Sequence, residues 1–184
     1  MRRLAMLSML SCLSMLTASG RAEPPRGRVI ADRLFTVADD FIVDVYHNGV
    51  KVPDEKRTLL HEVFGATAER IDIQVREGDW VVFNVVNNRL RWGGVSYSGV
   101  TGRGESGVGF VSEPGGGRWS SCDDTEKVSE FIGDRDYLAG NAAQPIGNPC
   151  AEGDRLMSQI ADGWTAKPIW GRSRNTWIKF VARP

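Results

Sequence analysis

Ten glycines fall within the twenty-five residues from Gly93 to Gly117, and that density sets the first limit on the fold. Glycine loses more backbone freedom on ordering than any other residue, so a regular helix through this segment is excluded. The stretch reads as strands with bulges, joined by loops of the kind that carry binding surfaces.

Its neighbours have the same β character. Asp40 to Tyr46 alternates, with Phe41, Val43 and Val45 on one face and Asp40, Ile42, Asp44 and Tyr46 on the other. Asn48-Gly49 then separates this run from Val50-Lys51-Val52, a strong hairpin signal because both turn positions must accept positive φ. Arg70 to Arg76 alternates again and turns Ile71, Ile73 and Val75 inward. After Glu77-Gly78-Asp79, the almost wholly apolar run Trp80 to Val86 predicts a central strand covered on both faces. Trp92 to Thr101 and Thr176 to Ala182 read as further strands.

Three stretches have helical spacing. Pro53-Asp54-Glu55 opens one that carries Leu59, Leu60, Val63 and Phe64 on one face and stops at Gly65. Asp124 to Ile132 is the second, through Val128, Phe131 and Ile132. Glu152 to Asp162 is the third, with Leu156, Met157, Ile160 and Ala161 together. Mostly strands with short peripheral helices predict a mainly β chain, folded as a single β-sandwich of the jelly-roll type.

The N-terminus sets the compartment. Arg2 and Arg3 precede thirteen residues, Leu4 to Leu16, of signal-peptide length and too short to span a bilayer. Small residues allow cleavage at 20/21 or at 22/23, so residues 1–22 read as a signal, 23–29 as a linker and 30–184 as the sandwich domain. Cys12 follows too short an apolar stretch for a lipoprotein cysteine. The processed chain is expected to be secreted or periplasmic, with no membrane span. Processing removes Arg2, Arg3 and Arg21, leaving 20 basic against 23 acidic residues, and this mildly acidic balance argues against nucleic acid as a partner. Cys122 and Cys150 remain, and in an oxidising compartment such a pair is expected to close a disulfide. Its loop of about 28 residues would stabilise the fold by roughly 3–4 kcal/mol on the chain-entropy model.

The order of these signals resembles a known family. Asp39-Asp40, Phe41 and Asn48-Gly49, then Ile71 to Val75, Glu77-Gly78-Asp79 and Trp80 to Asn87, are similar to the opening strands of galactose-binding-like jelly-roll modules of secreted bacterial proteins. Gly93-Gly94, Trp119, Trp164, Pro168-Ile169-Trp170-Gly171 and Trp177-Ile178 continue the series, so the likeness spans roughly residues 30 to 181. The longer Asp54–Gly65 connection and the cysteine pair depart from it. The resemblance implies a binding module, with carbohydrate as the ligand class.

No catalytic centre emerges from the residues. His47 sits in a hairpin turn and His61 on the predicted helix, and Gly94-Val95-Ser96-Tyr97-Ser98 lacks the closing glycine of a nucleophile elbow. Asp39, Asp40, Glu105, Asp123 and Asp124 supply carboxylates for glycosidase chemistry, but 23 acidic residues make availability uninformative. Gly102-Arg103-Gly104-Glu105-Ser106-Gly107 spells G-x-G-x-x-G, yet strand-like Val108 to Val111 follows where a dinucleotide site needs a helix. It reads as a loop.

The ligand candidates are Asn87, Asn88, Arg89, Arg91 and Trp92, a loop dense in amides and guanidinium groups beside an aromatic ring. Arg103 and Glu105 join them if the flanking strands pair as a hairpin. A polar surface turn with Trp92 packed inward is the competing reading. Trp80, Trp164, Trp170 and Trp177 read as core. Asp123-Asp124 and Asp134-Arg135-Asp136 are the candidates for a structural calcium ion, without EF-hand spacing. No other cofactor is indicated. Two functions stay open: an exported, non-catalytic carbohydrate-binding module, and a structural or protein-interaction domain binding a cell-envelope component.

Overall fold

The computed structural model describes residues 27–63, 66–87, 98–114, 117–137, 141–142, 144–145 and 165–183. Its first strands are β1 (Val29–Ala31), β2 (Arg33–Ala38), β3 (Phe41–His47), β4 (Val50–Lys51), β5 (Arg57–Val63), β6 (Ala66–Ile71), β7 (Val75–Arg76) and β8 (Trp80–Val86). There follow β9 (Ser98–Gly104), β10 (Gly107–Val111), β11 (Trp119–Cys122), helix α1 (Val128–Gly133), β12 (Asn141–Ala142), β13 (Gln144–Pro145), β14 (Ile169–Trp170) and β15 (Asn175–Val181). One antiparallel sheet runs β13-β14-β9-β2-β6-β5, with β10 also paired to β9; the second runs β12-β11-β15-β8-β3-β4. β1 and β7 form a separate two-stranded ribbon.

The fold is mainly β, as the sequence predicts, with its principal core between the two sheets. Leu34, Ala38, Ile71, Val100 and Ile169 of the first sheet meet Ile42, Val45, Val81, Phe83, Val85, Ile178 and Phe180 of the second. Each of the leucine, isoleucine, valine and phenylalanine side chains taken fully from water contributes about 1.5–3 kcal/mol. Phe110 links the layers by stacking on Phe180 at 4.0 Å between ring centroids. Its ring occupies the space over Gly102 where a Cβ would stand, so a glycine is required there.

The central strand β8 is buried on both faces, as its apolar run predicts. The Asn48-Gly49 hairpin is present, with φ of 52° and 79° at its two positions. The alternation at β3 needs correction. The register slips between Ile42 and Asp44, leaving Val43 as a bulge. Ile42 and Val45 therefore both reach the core, and Phe41 and Val43 face out. At Arg70–Arg76 the strand breaks between Ile71 and Val75, yet both stay buried and Ile73 packs on the core.

The helix predicted after Pro53 is a single 3-10 turn, Asp54–Lys56, followed by strand β5. A short apolar run fits either period, and the pairing of six β5 residues with β6 decides for the strand. Leu59 is consequently 56% exposed instead of buried on a helix face. The second predicted helix is present as α1, shortened at its start because Asp124 accepts the Glu126 N–H and holds a turn before it. The third, 152–162, lies outside the described residues.

Helix α1 covers the outer face of the second sheet. Val128, Phe131 and Ile132 pack there on Val82, Cys122, Trp177 and Trp80. Lys179, on the same face of β15, is fully buried beneath it. Its ammonium donates to the carbonyls of Phe131 (3.1 Å), Asp134 (2.9 Å) and Tyr137 (2.7 Å), and lies 4.2 Å from the centroid of the Phe131 ring. A cation at a helix C-terminus meets the negative end of the helix dipole, so this contact fastens α1 to the sheet.

Candidate functional site

The polar residues of interest gather at the end of the sandwich where β2 turns into β3. Asn87 leaves β8 there as a buried side chain, its N–H donating to the Arg174 carbonyl at 2.8 Å. The Asn87 amide donates from Nδ2 to Asp39 Oδ2 at 2.7 Å. Asp40 adopts φ of 61°, a left-handed conformation that a non-glycine residue rarely takes, and its carbonyl accepts from the Thr67 hydroxyl.

A third turn, Gly171–Arg174, completes this end. Asp123 Oδ1 accepts the N–H groups of Arg172 and Ser173, both at 3.0 Å, and the Trp170 indole donates to the Ser173 carbonyl at 2.8 Å. A Cβ at Gly171 would collide with Thr176 Oγ1 and Asp123 Oδ1, so only glycine permits this approach. The turn leaves the Arg172 and Arg174 side chains exposed. Sequence reasoning missed both arginines as members of this rim. Asp123 is 49 residues from Arg172, and nothing local links them.

The structure does not join Arg103 and Glu105 to this group. β8 and β9 belong to different sheets and do not pair, so the hairpin that would bring them face to face is absent. Along β2, Ala38 pairs with Ser98 whereas Arg33 pairs with Arg103. Five residues at about 3.3 Å each put Arg103 roughly 16 Å away, towards the opposite end. Glu105 is exposed in the turn between β9 and β10, a strand-to-strand connection that also accounts for the G-x-G-x-x-G spelling. Asn88, Arg89, Arg91 and Trp92 lie outside the described residues.

The remaining reactive groups are held by their surroundings. His47 Nε2 lies 3.1 Å from Asp79 Oδ2. That carboxylate also accepts Asn48 Nδ2 at 2.8 Å and the Arg76 N–H at 2.8 Å. This cluster ties the β3–β4 hairpin to the turn before β8. Cys122 is buried, and burial pushes its thiol pKa up while the Asp124 carbonyl stands 3.5 Å from Sγ. Cys150 lies outside the described residues. Asp124 and Asp136 are held below the usual carboxylate range, Asp124 chiefly by the Glu126 N–H and Asp136 chiefly by Arg135. Among the described residues no group of three or more His, Cys, Asp or Glu side chains could hold a metal ion. No helix among them is long and apolar enough to cross a membrane.

The geometry therefore provides a polar rim in which the Asn87 amide is bonded to the Asp39 carboxylate and the backbone of the turn bearing the exposed Arg172 and Arg174 is held in place, and a hairpin at the far end. No family model, curated protein or solved structure matches the chain.

Proposed function

We propose that this is an exported, non-catalytic carbohydrate-binding module of the galactose-binding-like jelly-roll type, with its ligand at the Asp39–Asn87 rim. The observation that carries the reading is the fixed Asn87–Asp39 pair at the point where the segment holding Asn88, Arg89, Arg91 and Trp92 leaves β8. Sugar recognition combines an aromatic wall with a few oriented amides, guanidinium groups and carboxylates, and the described part of the rim supplies the amide, the carboxylate and the arginines. Arg103 and Glu105, near the opposite end, have no part in it.

A glycan array probed with the processed domain tests the proposal. Binding to at least one glycan, lost in Trp92→Ala with the melting temperature unchanged, is the expected result. A blank array with a folded protein overturns it. The second reading, a protein-interaction domain of the cell envelope, draws support from the exposed apolar side chains of Phe41, Val43 and Leu59 on strands β3 and β5. A blank array would leave that reading in place.

Export and the disulfide belong to the same proposal. With Cys122 bridged to Cys150, thiol titration of the denatured, unreduced, processed protein returns no free thiol. Two free thiols per chain would remove the bridge from the account.

A further inference from the structure

We propose that Arg57 guards the open side of the sandwich: by holding the main-chain carbonyls of Ile42 and Val43, it keeps this sheet edge from pairing with the same edge of a second copy of the chain. The stretch concerned is bare along one flank. β3 has β8 on one side, but β4 covers the other only at Tyr46 and His47, with the Val52 N–H donating to the Val45 carbonyl at 2.8 Å just beyond. From Phe41 to Asp44 no strand among the described residues lies on that side. A strand edge without a neighbour presents main-chain groups that template pairing with another chain.

Other edges of the two sheets carry familiar protections against such pairing. β4, β12 and β13 are two residues long, and β13 ends in Pro145. β5, the edge of the first sheet, has a bulge between Leu59 and His61 and an exposed Glu62 after it. At β3 the protection comes from across the sandwich. The guanidinium of Arg57 donates from Nη2 to the Ile42 carbonyl at 2.7 Å and from Nη1 to the Val43 carbonyl at 3.0 Å. Acceptors that an added strand would use are thereby occupied. The bidentate pair with Glu69, both bonds at 2.9 Å, fixes the guanidinium in that position.

The surroundings would favour contact without it. Phe41 and Val43 are each 46% exposed, and Leu59, two residues beyond Arg57 on β5, is 56% exposed. Apolar side chains beside free main-chain acceptors make an edge adhesive. Antiparallel pairing about a twofold axis joins two identical edges, so a second copy of the chain meets the geometry with no other partner required.

Sedimentation equilibrium of the processed protein tests this over about 5 to 500 µM, a range that reads micromolar association. The wild type should keep the mass of one chain throughout. Arg57→Met with Glu69→Met, which leaves no stranded charge, should rise towards twice that mass. Adding Val43→Lys to this pair should return it to a single chain, because a charge on an edge opposes pairing. Arg57→Lys retains a charge opposite Glu69 without the fork over both carbonyls, and it makes the same comparison in a less altered chain. It should associate measurably, though more weakly than the double variant. One mass for every variant at every concentration would overturn the proposal. So would a wild type that doubles as readily as the variants. Association unchanged by Val43→Lys would place the contact elsewhere and overturn it too.

Discussion

Arg57→Met will lower the free energy of unfolding by about 3–5 kcal/mol, the usual cost of breaking a buried ion pair by removing one partner. The Arg57 and Glu69 side chains are only 11% and 10% exposed. The guanidinium is bidentate to the carboxylate, with both hydrogen bonds at 2.9 Å. It also donates to the carbonyls of Ile42 at 2.7 Å and Val43 at 3.0 Å. Those carbonyls lie at the bulge of β3, so one side chain bridges β5 of the first sheet to β3 of the second. Its removal strands the Glu69 carboxylate between the sheets and leaves two strand carbonyls without their donor.

Two further variants separate charge from geometry. Arg57→Lys restores the charge without the planar fork, and it should recover less than half of the loss. Arg57→Met with Glu69→Met leaves no stranded charge, and it should be markedly more stable than Arg57→Met alone. Urea unfolding followed by tryptophan fluorescence measures all three. Small domains are stable by about 5–15 kcal/mol, so the single variant should unfold at a much lower urea concentration. A change below about 1 kcal/mol would mean that the pair behaves as an exposed one.

What the sequence discloses of this fold is what local pattern determines. The Asn48-Gly49 hairpin and the run Trp80–Val86 were legible because turn chemistry and apolar periodicity are written in consecutive residues. The bulge at Val43 was not, since an extra residue leaves no mark on an alternating string; it is seen only once Arg57 is found on the carbonyls of Ile42 and Val43. Strand β5 has helical spacing in the sequence because a short apolar run fits either period, and only the pairing with β6 decides between them. At the rim, Asn87 was visible as the polar end of an apolar strand. Its partner Asp39, 48 residues away, was not. Arg103 and Glu105 entered the candidate site because consecutive strands usually pair, whereas β8 and β9 lie in different sheets.

Lys179 is a further case of a residue whose environment reverses its expected place. Alternation along Trp177-Ile178-Lys179-Phe180 points it away from the core, and α1 then closes over it. Lys179→Met should cost about 2–4 kcal/mol, because it leaves the carbonyls of Phe131, Asp134 and Tyr137 without their shared donor. Loss of the helix's anchor should appear in near-ultraviolet circular dichroism, through Trp80 and Trp177 beneath α1. The cost should also depend on pH, with a definite sign. Burial draws the Lys179 pKa from 10.5 down to about 8, against the opposing pull of Asp134 and Asp136. Below pH 8 the folded and unfolded chains both hold the proton, and the contribution of Lys179 is constant and at its least favourable. Between pH 8 and 10.5 the unfolded chain retains a proton that the folded chain has released, so that contribution grows more favourable as pH rises. The stability difference between wild type and Lys179→Met should therefore widen from pH 8 to pH 10, which cancels the titration of groups common to both proteins. A difference that narrows over that interval would mean that the three carbonyls and the Phe131 ring hold the ammonium charged more strongly than burial discharges it.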